Sequence, residues 1–324
     1  MKDIAAIKQP VIADFERFEV LFKEAFQSDN QQLTEVYSYL LNNVGKQVRP
    51  ILTLLCSKLC GGITDMALQA AVALELMHTA SLLHDDVVDE ASERRGNPSV
   101  YAKWGNKTAI LSGDYLLACS FMVTTCIENS RIWVILANVG KHLAEGELLQ
   151  LNKADGLTVS ETHYFKVISN KTAALFSACT ESGALSAGAT TEQTKLIRAF
   201  GENLGIGFQI KDDIFDYSDS KKIGKPSGND LKEGKITLPL IYALKQSSEE
   251  ERATMLNKIR QVHTNESIIP EIQQFARDKG GIAYAEEKME YYKSQALKAL
   301  ESFPDNEEKD ALIAILEFAT ERNY

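Results

Sequence analysis

The sequence has little of what marks a disulfide-stabilised, membrane-spanning or nucleic-acid-binding protein. Its five cysteines form no CxxC pair and no His/Cys ligand set, so we interpret them as reduced core residues. Its beginning lacks the apolar core of a signal peptide, and no apolar run approaches the roughly 18 residues of a membrane span. A formal net charge of −10 argues against a nucleic-acid partner. We therefore expect a soluble, cytoplasmic protein.

Prolines and strand patterns are also scarce. None of the seven prolines lies between Pro98 and Pro226, in a stretch with apolar residues at helical spacing. Residues 66–90 and 192–218 each have the pattern of a helix that is apolar nearly all round, which is typical of a central position. The sequence therefore predicts an all-α protein with ten or more helices in a single domain, residues 1–324.

Each of these two helices ends in an acidic cluster of the form D-D-apolar-apolar-D. The clusters are Asp85, Asp86 and Asp89, and Asp212, Asp213 and Asp216. The first and last aspartates share a helix face, so their charges repel, and the adjacent apolar helix makes desolvation costly. Carboxylates without His or Cys select a hard cation such as Mg²⁺. One cluster could be a solvated helix end, but two favour metal sites that hold a phosphorylated substrate.

Basic side chains occur near these clusters despite the net negative charge. They are Lys46, Arg49, Arg94, Arg95, Lys171, Lys225 and Lys235. His78 lies on the same helix face as Asp85 and Asp89. Each of these residues alone could be an ordinary surface or core residue. Together they offer the bidentate and point-charge contacts that two diphosphate groups require.

These segments resemble the trans-isoprenyl diphosphate synthases over nearly the whole chain. The matching segments, in the order of that family, are GKQVRP, HTASLLHDDVVDEASERRGNPSV, GDYLLA, EGELLQL, KTAALF, FQIKDDIFD and GKPSGNDLKEGKITLPL. HTASLLHDDVVDE followed by RRG is most similar to the medium- and long-chain members that make quinone side chains. The resemblance implies an isoprenoid-synthase-type helical bundle around a central cavity, usually a homodimer. Val44 departs from the family, many members of which have glycine there.

The resemblance also implies roles for individual residues. The six aspartates would hold about three Mg²⁺ ions with the allylic diphosphate. The residues implied to bind isopentenyl diphosphate are Lys46, Arg49, His78 and Arg95. Those implied to bind the allylic diphosphate are Arg94, Lys171, Lys225 and Lys235. Thr172 and Gln209 would lie beside the forming carbocation. Released diphosphate would take the final proton, and membrane contact would be peripheral at most, during product release.

The motifs admit four other interpretations. A terpene cyclase shares the first motif but usually has an Asn/Ser/Glu metal motif in place of the second DDxxD. A non-catalytic partner subunit tends to lose motif carboxylates, whereas this sequence has all six. A di-iron bundle needs two Glu-x-x-His pairs, and Glu75 with His78 supplies only one. A synthase of farnesyl or geranylgeranyl diphosphate, with a shorter product, stays open.

Product length is predicted from the helix that ends at Asp85. One helical turn rises about 5.4 Å, roughly the span of one isoprene unit. By resemblance, short-chain members have Phe or Tyr one turn before the first motif, where this sequence has Ala80 and Ser81. Met77, a flexible residue, lies further down, and Phe121 and Met122 are candidates for a tunnel floor from a facing helix. These small residues could instead serve tight helix packing. We expect a product of about eight or more units, grown from farnesyl or geranylgeranyl diphosphate.

Overall fold

The computed structural model describes residues 3–151, 160–217 and 228–321, which are largely α-helical. The first helices are α1 (Ile4–Lys8), α2 (Ile12–Glu24), α3 (Gln31–Asn42), α4 (Val48–Cys60), α5 (Asp65–Val88), α6 (Val100–Trp104), α7 (Asn106–Thr125), α8 (Ser130–Leu151), α9 (Glu161–Ile168), α10 (Ala174–Ser186) and α11 (Thr191–Asp216). The later helices are Asn229–Lys232, Leu238–Lys245, Glu249–Gln261, Ile269–Asp278, Gly281–Leu300 and Glu307–Glu321. The all-α prediction is confirmed.

The other elements are short. Two 3₁₀ turns span Gln9–Val11 and Glu266–Ile268, and a π-helical turn spans Ser169–Ala173 between α9 and α10. Strands β1 (Glu93–Arg94) and β2 (Asn97–Pro98) form an antiparallel hairpin directly after α5. Both the hairpin and the π turn carry residues that the sequence marked as functional.

The described chain divides into two compact units. The first comprises residues up to Lys141, Leu175–Gly201 and Ala299–Ile315, and the second comprises His142–Ala174, Glu202–Lys298 and the residues from Leu316 onward. The first unit contains the acidic cluster at the end of α5, and the second contains the cluster at the end of α11.

Helix α5 is the core helix of the first unit. Thr64 caps its N-terminus by accepting a hydrogen bond from the Ala67 backbone, and most of its side chains up to Leu83 are buried. It lies along α7, where the Ser120 hydroxyl donates to the Ala73 carbonyl oxygen at 2.8 Å. Small residues at this contact let the two helices approach closely.

Two helices are long and apolar enough to cross a membrane by length and composition alone, contrary to the expectation from the sequence. They are α5 and α7, with 61% and 33% of their apolar windows buried in the protein. The burial of α5 identifies it as a core helix. Helix α7 differs, since it exposes large apolar side chains including Leu111 and Met122.

Helix α10 packs closely on α4 within the first unit. A Cβ atom on Gly183 would lie 2.2 Å from the Thr53 carbonyl oxygen and 3.2 Å from the Cys56 Cβ atom. The contacting oxygen belongs to the α4 backbone, so it cannot rotate away as a side chain would. Only glycine at this position permits the observed distance between the helices.

The second unit is built around the C-terminal part of α11. Its fully buried residue Tyr217 lies in an apolar cluster with Leu240 and Ile272 from two later helices. The Gln273 amide donates to the Asp216 carbonyl oxygen at 2.6 Å, and the Arg277 guanidinium donates to the Tyr217 carbonyl oxygen at 2.5 Å. These bonds satisfy carbonyl groups that the end of α11 leaves without a helical partner.

Gly183→Ala should lower the free energy of unfolding by about 1–3 kcal/mol, because the added methyl group forces α4 and α10 apart. Gly140→Ala is the matched control, since a Cβ there meets nothing within 4 Å in the middle of α8. The control should raise stability by about 0.5–1 kcal/mol through helix propensity. Urea unfolding of both variants measures the difference, and equal stabilities would contradict the close contact.

Candidate active site

The first acidic cluster lies at the C-terminal end of α5. Asp86 is only 2% exposed, and its Oδ1 atom accepts a hydrogen bond from Arg94 Nε at 2.6 Å. Burial raises the pKa of Asp86, while the adjacent Arg94 charge opposes that shift. Asp85 and Asp89 are half-buried, one turn apart. Asp86 therefore anchors Arg94.

The β1–β2 hairpin presents Arg94 and Arg95. Arg95 lies at the hairpin turn with a left-handed backbone, φ 56°, and its Nη1 donates to the Asn43 carbonyl oxygen at 2.8 Å. A Cβ atom on Gly45 would lie 2.5 Å from Arg95 Nη2, so glycine leaves room for the guanidinium group. Val44, the departure from the family, is exposed, and the left-handed residue of its loop is Gln47.

A pocket in the first unit, which we call the basic pocket for the two arginines that line it, joins this hairpin to α5. Its charged and polar lining includes Asn43, Glu75, His78, Asp86, Arg94, Arg95 and Asn97. Arg49, from α4, donates from Nη1 to His78 Nε2 at 3.0 Å and stacks its guanidinium 4.8 Å from the Phe176 ring centre. Arginine can only donate, so Nε2 is the unprotonated nitrogen of His78.

The pKa of His78 lies well below its ordinary value, because burial and the charges of Arg49 and Arg95 disfavour the imidazolium form. The structure thus brings together four of the residues predicted to bind diphosphates, namely Arg49, His78, Arg94 and Arg95. Lys46 is on the loop before α4 and is exposed.

The second acidic cluster is tied into a hydrogen-bond network in the second unit. The Thr172 hydroxyl donates to Gln209 Oε1 at 2.7 Å, and Gln209 Nε2 donates to Asp213 Oδ1 at 2.9 Å. The Tyr164 hydroxyl donates to Asp213 Oδ2 at 2.6 Å. Burial and the nearby Asp230 and Asp212 charges raise the pKa of Asp213 well above its ordinary value, against these two donors.

The π turn at Ser169–Ala173 delivers Lys171 and Thr172. Such turns insert one residue into a helix and often occur at functional sites. The Lys171 ammonium group pairs with the Glu147 carboxylate on α8. Glu147 lies in the EGELLQL segment. The resemblance of that segment to the family did not predict that Glu147 pairs with Lys171.

Asp216 is engaged differently from Asp213. Its Oδ1 atom accepts a hydrogen bond from the Gly228 backbone at 2.7 Å, and the backbone N–H groups of residues 229–231 also stabilise its charge. Its Oδ2 atom is buried without a hydrogen-bond partner among the described residues. Asp216 therefore holds the start of the short helix Asn229–Lys232.

Asp230 was missed at the sequence level, although it lies inside the GKPSGNDLKEGK segment. Burial and the neighbouring Asp216 raise the pKa of Asp230 to about 7. Asp230 lines a pocket of the second unit together with much of this network. The polar residues of that pocket are Gln150, Ser160, His163, Tyr164, Lys171, Thr172, Gln209, Asp213, Asp230, Lys235 and Thr237. Lys235 pairs with Glu233. Lys225 lies outside the described residues.

The chain-length candidates are only partly where we expected them. Ala80 and Met77 are buried on α5, and Ser81 is half-buried with its hydroxyl bonded to the His78 carbonyl oxygen. Phe121 and Met122, in contrast, are 51% and 70% exposed, so in a single chain they are not a tunnel floor. The face of α7 toward α5 carries Leu116 and Ser120, which are buried, and residues 121 and 122 point away from it.

The acidic residues suit a hard divalent cation. No group of three or more His, Cys, Asp or Glu side chains forms a ready metal site in the part of the chain that the structure describes. Mg²⁺ is usually completed by water and substrate phosphates, so separate carboxylates are compatible with it. The buried Oδ2 atom of Asp216 has no hydrogen-bond partner among the described residues, and a bound cation would satisfy it.

The similarity of this chain to known proteins identifies its family. The polyprenyl synthetase family model matches residues 30–275. The chain belongs to the polyprenyl synthetase family. It is accordingly a prenyltransferase with trans-prenyl diphosphate synthase activity. The family match includes residues of both units, and a single domain over residues 1–324 stays a prediction.

Individual relatives of this polyprenyl synthetase cover nearly all of it. Octaprenyl diphosphate synthase of Haemophilus influenzae is 35% identical over 298 residues, which is 92% of this chain and 90% of the relative. A polyprenyl synthase of Caulobacter crescentus, solved with calcium and isoprenyl diphosphate, is 33% identical with a TM-score of 0.92, covering 99% and 98% of the two chains. Geranylgeranyl pyrophosphate synthase of Bacteroides thetaiotaomicron is 41% identical with a TM-score of 0.85, covering 98% and 99%.

Asp230→Asn should stabilise the metal-free enzyme more at high pH than at low pH. The pKa of Asp230 in the folded protein is about 7, against an ordinary value of 3.8, so folding favours its protonated form. Wild-type stability contributed by this group falls as the pH rises from about 4 to about 7, and the asparagine variant avoids that loss. The stability gain of the variant should grow by roughly 2–3 kcal/mol from pH 5 to pH 8.

Urea unfolding in the presence of a chelator, at both pH values, measures this gain. Asp278→Asn, at an exposed aspartate in the same unit, is the control and should show no such growth. A pH-independent gain in Asp230→Asn would contradict the cause that we give for its raised pKa.

Proposed function

We propose that this polyprenyl synthetase condenses isopentenyl diphosphate with an allylic diphosphate, in a Mg²⁺-dependent reaction that makes a long-chain polyprenyl diphosphate, for example for a quinone side chain. The observation that supports this most directly is the basic pocket of the first unit. It gathers Arg94 and Arg95 beside His78 and Arg49, next to the aspartates at the end of α5. Such a pocket suits a diphosphate near a metal ion.

Isopentenyl diphosphate is the substrate that we assign to this pocket. Arg49 is pre-oriented by His78 and by stacking on Phe176, and Arg95 is held by the loop at Asn43. Guanidinium groups fixed before binding lose little side-chain entropy when they bind phosphate. Lys46, exposed on the neighbouring loop, could close on the bound diphosphate without disturbing either contact.

The pocket of the second unit suits the allylic substrate. Lys171 and Lys235 supply positive charge for a diphosphate, with Arg94 and Lys225 assigned to the same group by resemblance. The oxygens of Thr172 and Gln209 are held in place by the network to Asp213. Oriented dipoles of this kind stabilise a carbocation without having to reorganise during the reaction.

We assign the divalent metal to the two acidic clusters. All six motif aspartates are candidate ligands, supported by Asp230. Asp86 also positions Arg94, and Asp216 also positions the Asn229–Lys232 helix. About three Mg²⁺ ions, when bound, would neutralise the charge that develops on diphosphate as the allylic C–O bond breaks. The protein residues then orient the two substrates, and released diphosphate takes the proton.

Product length depends on how far a growing tail can extend along α5. The similar proteins include an octaprenyl and a geranylgeranyl diphosphate synthase, so sequence similarity alone is compatible with a long or a short product. Ala80 and Ser81 favour the longer product, because neither side chain is large enough to block a tail that grows along α5. A product of farnesyl or geranylgeranyl length is the alternative.

A homodimer is the assembly that we propose. Helix α7 exposes Ile110, Leu111, Phe121 and Met122, which is more apolar surface than a helix facing water usually presents. A second copy of this chain would cover it. Because all six motif aspartates are present, we regard the chain as catalytic rather than as the silent subunit of a heteromer.

The cytoplasm is the compartment that we propose. The cysteines are unpaired, which suits reducing conditions. Any membrane contact would be peripheral and would serve release of the product.

A single assay tests the proposed reaction. Purified enzyme is incubated with isopentenyl diphosphate, farnesyl diphosphate and Mg²⁺, and the products are identified by mass spectrometry, with a chelator in the control. We expect products extended by several isoprene units only when metal is present. Turnover in the chelator would contradict metal dependence, and no extension of any allylic primer would contradict the proposed substrates.

Asp85→Asn and Asp212→Asn should each lower kcat at least about a thousandfold, because each removes a carboxylate charge that would bind the metal ions stabilising the leaving diphosphate. Asp65→Asn, at the exposed start of the same α5 helix as Asp85, is the control and should retain activity. Steady-state kinetics at saturating Mg²⁺ measures the change. Near-normal turnover in either motif variant would exclude that aspartate as a metal ligand.

Ser81→Phe and Ala80→Tyr should shorten the product to about three or four isoprene units, because a ring one turn below Asp85 blocks the growing tail. The first condensation should continue at a normal rate. Ser81→Ala removes only the hydroxyl group and should keep the wild-type length. Mass spectrometry of the products decides, and full-length chains from both aromatic variants would contradict the proposed path along α5.

A further inference from the structure

Glu75 is a buried acidic residue in the basic pocket that no assigned role explains. It lies on α5, one turn before His78, and is 8% exposed. It lines the same pocket as His78 and Arg95. Its Oε2 atom is buried and accepts no hydrogen bond from any residue that the structure describes. A carboxylate in this state is costly unless positive charge lies close by.

Positive charge reaches Glu75 from two other elements. Arg49 of α4 and Arg95 of the hairpin turn both lower its pKa, against burial, which is the largest influence and raises it. His78 faces Arg49 from the same helix and is uncharged, while Arg94 in that pocket is paired with Asp86. From α10, the Cys179 thiol lies near Glu75, and burial raises its pKa to about 12. Arg49 and Arg95 therefore offset the cost of the Glu75 charge only in part, and the pKa of Glu75 stays above its ordinary value.

A bound diphosphate would remove the positive charge that offsets Glu75. The two guanidinium groups would then serve phosphate oxygens, and Glu75 would face a new anion across a pocket of low dielectric. The carboxylate sits on a buried stretch of helix, so it cannot swing into solvent. A buried carboxylate that cannot move away loses its charge by binding a proton.

We propose that Glu75, whose buried carboxylate lines the isopentenyl diphosphate pocket without a hydrogen-bond partner among the described residues, takes up a proton when the diphosphate binds. Substrate binding is then coupled to proton uptake. The proposal rests on the assignment of this pocket to isopentenyl diphosphate. No bond forms or breaks beyond transfer of one proton from water or buffer to the carboxylate.

The test is calorimetric titration of the enzyme with isopentenyl diphosphate alone. No allylic diphosphate is present, so no turnover occurs, and a chelator removes divalent metal. Titrations in buffers of different ionisation enthalpy count the protons exchanged. A pH of about 7.5 or above keeps the ligand itself ionised, because the second pKa of a phosphate monoester is about 6.

We expect the wild-type enzyme to take up a substantial fraction of one proton, and its Kd to rise with pH by up to about tenfold per pH unit. Glu75→Gln keeps the shape of the side chain and imitates its protonated form. It should bind without proton uptake, with a Kd that no longer rises with pH and that is no weaker than the wild-type value at high pH. Glu75→Asp should retain the uptake. Glu35→Gln, at an exposed position on α3, is the control and should match the wild type.

The outcomes distinguish the proton uptake by Glu75 from the assignment of the pocket to isopentenyl diphosphate, on which it rests. Binding without proton uptake in the wild type would overturn the role of Glu75 and leave the pocket assignment intact. Unchanged uptake in Glu75→Gln would assign the proton to His78 instead and also overturn the proposal. Weaker binding by Glu75→Gln at every pH would indicate a purely structural residue. Absence of any binding would contradict the pocket assignment, and the proposal would fall with it.

Discussion

Carboxylates at the ends of buried apolar helices must be neutralised locally, and both units are organised around this constraint. In the first unit, Arg94 reaches Asp86 from the hairpin that follows α5. In the second, Tyr164 and Gln209 donate to Asp213, and backbone N–H groups at the start of a short helix serve Asp216. The cost of an unpaired buried charge, several kcal/mol, makes these partners as necessary as the aspartates themselves.

The positively charged side chains of the enzyme are likewise held by local partners. Arg49 stacks on Phe176 and bonds to a neutral His78, Arg95 rests against Gly45, and Lys171 pairs with Glu147. Each positive group is thus held in place before any substrate arrives. Preorganised charges of this kind are what a reaction with a departing diphosphate needs, because the protein does not have to reorganise as charge develops. Arg49 and Arg95 also offset part of the charge of Glu75, so an anion bound in the pocket would compete with Glu75 for them.

The two motifs look alike in the sequence but differ in the structure. The middle aspartate of the first cluster is paired with an arginine, whereas that of the second is bonded to a tyrosine and a glutamine. Gln209 lies one turn before Asp213 on the same helix, but Tyr164 comes from α9, so spacing along α11 carries no information about its bond to Asp213. The exposure of Phe121 and Met122 in the single chain could not be predicted for a related reason. The helical period predicts which residues share a face of α7, but contact with Ala73 decides which face turns inward.

Periodicity, scarcity of proline and the order of motifs were enough, by themselves, to determine the all-α class, the family and the residue types of the chemistry. These are local properties, since helix formation and charge repulsion act over one or two turns. Only the tertiary structure decided the partner of each charge and which residues outside the motifs matter, among them Glu75, Glu147, Tyr164 and Asp230. Those pairings depend on desolvation and distance between segments that are far apart in the chain, and both exist only once the helices have packed.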